Sequence, residues 1–470
     1  MSLRYPCVSL LVLATAAFGQ ETRQATGVKV GEVSPTSAIV WVRVTANSHR
    51  NTGGIVLQSP EGKNLPAGMK VSSLEGACPG TAGRVRVRYG AKQDLRDAKA
   101  TEWVEVTAKT DYSHQFRLTG LEPATLYHFS AETAGPGGSP KHGSLRGSFQ
   151  TAPPPEADAA VKFTVITGQH YRDMDHPDGY NIYPAMARLA PRFIVETGDN
   201  VYYDGDAPHA TTIEIARHHW DRMYSFPRHI AFHLSVPGYW EKDDHDTLSD
   251  DCWPAMLSKM LPMTFKDGQR VFLQQVPMGD KTYRTYRWGK AVQIWLPEGR
   301  DFRSPNNADD GPQKTIWGAE QKSWLKASLL ASDATWRVLV SPTPLVGPDR
   351  GKKGDNHSNA AFAYEGNEFR QWVKQHVAHN FFVVSGDRHW QYHSVHPETG
   401  VQEFACGPTS DEHASGSPGY DPNYHRFHRV KGGFLSVSVN RTGNLNTIAF
   451  RLHDVHGAVV YEYVQKNPSR

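Results

Sequence analysis

The sequence predicts an N-terminal β-sandwich followed by a larger C-terminal α/β domain, and three observations carry this prediction. Up to Phe149 the chain reads as short alternating strands punctuated by Gly and Pro. A proline-rich stretch, Thr151-Ala152-Pro153-Pro154-Pro155, then marks a boundary, because such a run cannot join a sheet interior. From Val161 onward, short apolar runs alternate with helical stretches, the pattern of strands covered on both faces by helices. At 470 residues and 39% hydrophobic the chain is long enough for two cores. Its 51 basic and 48 acidic side chains leave a formal charge of +3 with no basic block. Charge therefore does not indicate nucleic acid, while small phosphate esters stay open.

The first element is a leader. Arg4, the apolar run from Val8 to Ala14 and the small residues up to Gly19 have the layout of a secretory signal peptide over residues 1–19. The run is too short to span a membrane, so a secreted or periplasmic location follows, with an uncleaved anchor as the alternative. Cleavage removes Cys7 and leaves Cys78, Cys252 and Cys406, which allow one disulfide and require none. The sandwich is expected over residues 20–150. Within it, Leu121-Glu122-Pro123-Ala124-Thr125-Leu126-Tyr127 has the form of a tyrosine corner, and with Trp41 on an earlier strand the segment resembles a fibronectin type III module. Both aromatics are expected to hold the sandwich by packing alone. Residues 151–160 are expected to act as a semi-rigid spacer before a domain over 161–470. That domain is expected to have strands at 163–167, 193–197, 292–296, 338–340 and 381–385, and helices at 183–189, 213–224 and 321–330.

Several of these strands run directly into polar clusters, and in open α/β sheets ligands bind beyond the carboxyl ends of the strands. Gly198-Asp199-Asn200-Val201-Tyr202-Tyr203-Asp204 presents a carboxylate after a sharp exit, with a phenol three residues on. A carboxylate bridges two hard cations and a phenolate suits a trivalent one; an Asx-turn with a packed Tyr is the structural alternative. Trp240-Glu241-Lys242-Asp243-Asp244-His245-Asp246 packs three carboxylates and an imidazole into its last four positions, and like charges that close repel unless a cation or proton offsets them. His245 is a candidate proton donor to a leaving group. Gly386-Asp387-Arg388-His389 ends another strand, with Asp387 and His389 two apart and so on one side of an extended segment. Glu298 and Asp301 are expected to be braced by Arg300 and Arg303. The loop from Gly347 to His357 offers Arg350 and Lys353 for an anionic group and Asn356 or His357 for a metal.

Gly-Asp-x-x-Tyr, then Asp-Asp-His-acid, then Gly-Asp-Arg-His, in this order behind a β-sandwich, resembles the alkaline phosphatase D (PhoD-like) family of metallophosphoesterases. The resemblance covers nearly all of the mature chain, including Gly318-Ala319-Glu320-Gln321 before Trp324-Leu325. It implies two packed mixed sheets flanked by helices and a hydrolase of phosphate mono- or diesters. Two or more metal ions, Fe3+ and Ca2+, are implied, with attack by a metal-activated hydroxide. By the resemblance Asp199 bridges the ions, Tyr202 and His389 ligate the ferric ion, Asp244 and Asp387 face the divalent one, and His245 lies beside the scissile phosphate. Asn200, Arg350, Lys353 and Arg388 are weaker candidates for binding substrate. One departure stands out: the family's first strand ends in Ser-Cys-Gln, with the Cys on iron, whereas here Thr167-Gly168-Gln169 stands there. Either His170 or Asp173 substitutes as ligand, or the first site is altered. The alternatives are a non-catalytic binding or surface-adhesion protein, and a hydrolase of a sulfate ester or phosphorylated glycan.

Overall fold

The computed structural model describes residues 21–58, 64–442 and 445–468. The expected leader, residues 1–19, lies outside them.

Three sheets make up the fold. A nine-stranded sheet runs in the order Val459–Pro468, Leu445–His453, Phe434–Thr442, Val161–Ile166, Phe193–Thr197, Gly238–Glu241, Val28–Gly31, Ser37–Arg43 and Ser113–Thr119. A seven-stranded sheet contains Val292–Leu296, Trp336–Ser341, Phe381–Ser385 and Gln402–Cys406 side by side and parallel. A five-stranded sheet, including Gly83–Gly90, Leu126–Ala134 and Lys141–Gln150, closes the N-terminal sandwich. One continuous apolar core joins all three: Val40, Val87 and Phe129 at the sandwich end, and Val165, Val195, Ile294, Val338, Val384 and Phe404 where the two larger sheets face each other. The strands of the C-terminal region are therefore covered by a second sheet on one face. Helices cover only the other face, which corrects the expectation of helices on both.

The sandwich shares its sheet with the C-terminal region. Val28–Gly31 pairs in parallel with Gly238–Glu241, with Gly31 opposite Gly238, so edge strands of both regions satisfy each other's backbone groups. Gly31 allows this contact, since a Cβ there would meet the Pro277 carbonyl oxygen at 2.5 Å. As a result, strand Ser37–Arg43 has two buried faces. Ala38, Val40 and Val42 enter the sandwich core, while Trp41 and Arg43 point the other way, toward helices Ile213–Tyr224 and Phe265–Gln275. Trp41 donates its indole N–H to the Gln274 carbonyl at 2.7 Å, so it seals the joint between regions and does not fill the sandwich. Arg43 is buried between Asp111 and Asp221, at 3.1 and 3.0 Å. Tyr127 does form the expected corner, its hydroxyl accepting the Glu122 amide at 2.9 Å. The proline-rich stretch is fastened to the fold: Thr151, Ala152 and Pro153 are buried, and Lys290 N–H donates to Ala157 O at 2.8 Å.

Helix Ile213–Tyr224 matches the expected bounds, and Gly318–Ala331 extends the one expected at 321–330. Cys78, Cys252 and Cys406 are buried free thiols. Among the described residues no helix is long and apolar enough to cross a membrane.

Candidate metal centre

Parallel strands of the two larger sheets end at one rim, and the polar clusters follow them there. Strands Phe193–Thr197 and Phe381–Ser385 leave by the same device, a Gly-Asp pair. A Cβ at Gly198, whose φ is +96°, would lie 2.6 Å from the Asp243 Cβ; one at Gly386 would lie 2.4 Å from Thr197 Oγ1. Only glycine lets the chain pass so close. The following residues, Asp199 and Asp387, both take left-handed φ values, +52° and +62°. Non-glycine residues held in this region cluster where function needs a side chain aimed against local preference. Thr167, at the end of Val161–Ile166, ties the two exits together: its Oγ1 accepts the Asp387 amide at 3.1 Å and donates to Gly198 O at 3.4 Å.

Asp199 and Tyr202 form the first wall, the phenol donating to Asp199 Oδ2 at 3.1 Å. Asp199 is buried, and its Oδ1 has no protein partner. Burial and then the charges of Asp244, Asp243 and Asp246 push its carboxyl well above the usual carboxylate range, with His245 opposing. Burial, Asp199 and Asp244 likewise hold the Tyr202 phenol above its ordinary value. His389 Nε2 lies 3.4 Å from Tyr202 Oη, and burial keeps this imidazole neutral, as a metal ligand requires.

The second wall follows strand Gly238–Glu241. Ligating atoms of Asp199, Asp244 and His245 lie within 4.8 Å of one another, and so do those of Asp199, Asp243 and Asp387. His245 Nδ1 lies 2.6 Å from Asp204 Oδ1. Against burial, which lowers it, Asp204, Asp244 and Asp199 raise the His245 imidazole well above its usual value, so it carries a proton. Asn200 donates from Nδ2 to Glu241 O at 2.9 Å and to Asp246 at 2.7 Å, leaving its Oδ1 without a protein partner.

The remaining candidates separate. Arg388 is fully buried, against Asp349 at 2.6 Å and in contact with Asp387, so it organises carboxylates and does not face solvent. Lys353 pairs with Asp251 at 2.6 Å and Asp250 at 3.2 Å. Asn356 donates to Asp349 at 2.8 Å. His357 bonds Glu365 at 2.9 Å and packs on Trp317, the environment of a core histidine. Arg350, partly exposed, lies over Trp390. The guanidinium of Arg300 does not brace Glu298 and Asp301 as expected; Lys242 binds both at 2.5 Å, and Arg300 turns to Asp243. His170 Nδ1 bonds Asp173 at 2.6 Å and its Nε2 faces Asp206 at 3.3 Å.

Sequence reasoning missed two residues. Asp204 follows the Gly-Asp-x-x-Tyr motif by two residues, and its pairing with His245 emerges only when the two loops meet. His413 lies 2.9 Å from Tyr202 Oη, 211 residues away. It follows strand Gln402–Cys406, which the sequence reading did not recognise; the rule that strand ends carry chemistry points to 407–413 once that strand is known. Beside the rim lies a cavity of about 600 Å³ lined in part by Tyr171, Arg172, Asp173, Asp206 and Arg222.

Two packed sheets with carboxylate, imidazole and phenol groups gathered at one rim define the metallophosphoesterase class. A family model for PhoD-like phosphatases matches residues 163–433, and one for the N-terminal domain of PhoD-like phosphatases matches residues 12–153. The chain belongs to the PhoD-like phosphatase family. It is 21% identical over 354 residues to alkaline phosphatase D of Bacillus subtilis (strain 168), an alignment covering 67% of this chain. The chain spans about half, 54%, of the length of that curated relative. Its fold is similar to the solved structure of PhoD, with a TM-score of 0.72 at 17% identity, covering 97% of this chain and 94% of that one. It is also similar to a purple acid phosphatase from yellow lupin (Lupinus luteus) seeds, with a TM-score of 0.62 at 12% identity, covering 93% and 73%.

Proposed function

We propose that the chain is an exported, metal-dependent phosphoesterase acting on small phosphate mono- or diesters. The observation that carries this reading is the convergence of Asp199, Tyr202, His389, Asp244 and Asp387 on one rim, with His245 held beside them by Asp204. The donor set fits bound cations. Asp199 has a buried oxygen with no protein partner, and the crowded carboxylates need positive charge to ionise together. Tyr202 and His389 would hold one ion, a trivalent one such as Fe3+; Asp244 and Asp387 would hold a divalent one such as Ca2+; and Asp199 would bridge them. Such ions, when bound, lower the pKa of a water and offset charge on phosphoryl oxygens.

The chain's own groups do the rest. Asp204 accepts from Nδ1 of His245, and the surrounding carboxylates, which raise this imidazole, favour a second proton on Nε2 for a leaving oxygen. Arg350 offers a cation at the rim for a substrate anion. The cavity beside Asp173 has room for the organic part of a small ester. Residues 20–150 serve as a structural partner that completes the large sheet, with the division of the chain at 151–160.

A substrate panel tests the reading: p-nitrophenyl phosphate, bis-p-nitrophenyl phosphate and p-nitrophenyl sulfate, before and after chelation and metal restoration. Turnover of a phosphate ester that chelator abolishes and metal restores is expected. Turnover of the sulfate alone, or insensitivity to chelation, contradicts the reading.

A further inference from the structure

We propose that His413 is a metal ligand, completing with Asp199, Tyr202 and His389 the set around the ion on the phenol side; this rests on the reading of the rim as a metal centre. Tyr202 Oη is the hub of the geometry. It lies 3.1 Å from Asp199 Oδ2, 2.9 Å from His413 Nε2 and 3.4 Å from His389 Nε2, and the two imidazole rings are 4.1 Å apart.

The second ring nitrogen fixes the tautomer. His413 Nδ1 lies 2.9 Å from Asp173 Oδ2, and a carboxylate accepts hydrogen bonds but donates none. The proton therefore sits on Nδ1, and Nε2 presents a bare lone pair toward the phenol. A carboxylate behind an imidazole is the usual support of a metal-bound histidine. Asp173 also binds His170, but His170 turns its other nitrogen to Asp206. Of the two imidazoles on Asp173, His413 is the one whose unprotonated nitrogen faces the phenol oxygen, leaving both lone pairs turned toward one point.

The chain builds room for this ring. A Cβ at Gly168 would lie 3.5 Å from Tyr202 Oη and 3.6 Å from His413 Cδ2, so a longer side chain at 168 would compete for the same space. The loop that carries His413 is fastened to that spot, because Thr409 donates through both N and Oγ1 to Gly168 O, at 3.3 and 3.0 Å. The resulting ligand set is made of nitrogen and oxygen only, so the ion shows no sulfur-to-metal charge-transfer absorption.

The test uses the full-length protein, stripped with chelator and titrated with Co2+ alone, followed by visible d–d absorption and equilibrium dialysis. His413→Ala is expected to weaken one Co2+ equivalent at least about 100-fold, the upper end of what loss of a supporting group costs, and to change its spectrum. His170→Ala is expected to change that equivalent far less, and circular dichroism checks that both variants fold. A wild-type spectrum and affinity in His413→Ala overturns the proposal. So does equal weakening by His170→Ala and His413→Ala with no effect of Asp199→Ala, which would place the ion among His170, Asp173 and His413. Wild-type protein that binds no Co2+ overturns the metal-centre reading itself, and this proposal with it.

Discussion

The hydroxyl oxygen of Thr167 accepts the backbone amide of Asp387 at 3.1 Å, joining residues 220 positions apart at the ends of strands in different sheets. The same hydroxyl donates to Gly198 O, so one side chain sets the spacing of the two Gly-Asp walls. Thr167→Val keeps the shape and removes both bonds. We expect kcat/KM for the best phosphate ester to fall about tenfold or more, since small misplacements of reacting groups cost that much. Stability should drop by only about 1 kcal/mol. Steady-state kinetics with urea unfolding checks this, and unchanged kcat/KM would show that the spacing is set elsewhere.

Arg300 Nε lies 2.5 Å from Asp243 Oδ1, with both side chains fully buried, and Arg300 Nη2 is 3.7 Å from Asp244. Removing one partner of such a pair leaves an uncompensated charge, so Arg300→Met should cost about 3–5 kcal/mol. Adding Asp243→Asn should recover part of the loss. Chemical denaturation of the single and double variants measures this. Additive losses would mean that the pair does not couple.

Stability should also depend on pH through His393, which is stacked on Phe404 and bonded to Tyr461 and Gln402. Burial pushes its imidazole down to about 4 from the ordinary 6.5. Below pH 6.5 the unfolded chain takes up a proton that the folded one refuses until about pH 4. The stability present above pH 6.5 is therefore lost as pH falls toward 4, by up to about 3 kcal/mol for this group. His393→Gln, which cannot titrate, should flatten the fall in urea midpoint between pH 7 and 4.5. An equal fall in both proteins would assign the acid sensitivity to other groups.

Much of this was legible in the sequence because glycine-terminated apolar strands announce both a buried strand and a polar exit. Strands Phe193–Thr197, Val292–Leu296 and Phe381–Ser385 have the expected bounds, and the Tyr127 corner forms as expected. What stayed hidden depends on long-range pairing. Trp41 alternates correctly for a sandwich strand, and nothing local reveals that its other face meets Gln274, 233 residues on. The pairing of Val28–Gly31 with Gly238–Glu241 is hidden for the same reason. At the site, the ordinary loop around His413 carries no motif. Its proximity to His389 follows from the neighbouring parallel strands Phe381–Ser385 and Gln402–Cys406, and its proximity to Tyr202 from the meeting of that sheet with the one holding Phe193–Thr197.

The proposed function rests on Asp199 as the anchor of a metal centre that hydrolyses phosphate esters. The most direct test is metal content by elemental analysis together with p-nitrophenyl phosphate turnover for wild-type and Asp199→Asn protein, a substitution that keeps the side chain's size and removes its charge. Bound metal and turnover are expected in the wild type, with both lost together in Asp199→Asn while the fold is retained. Full metal content and turnover in Asp199→Asn would contradict it.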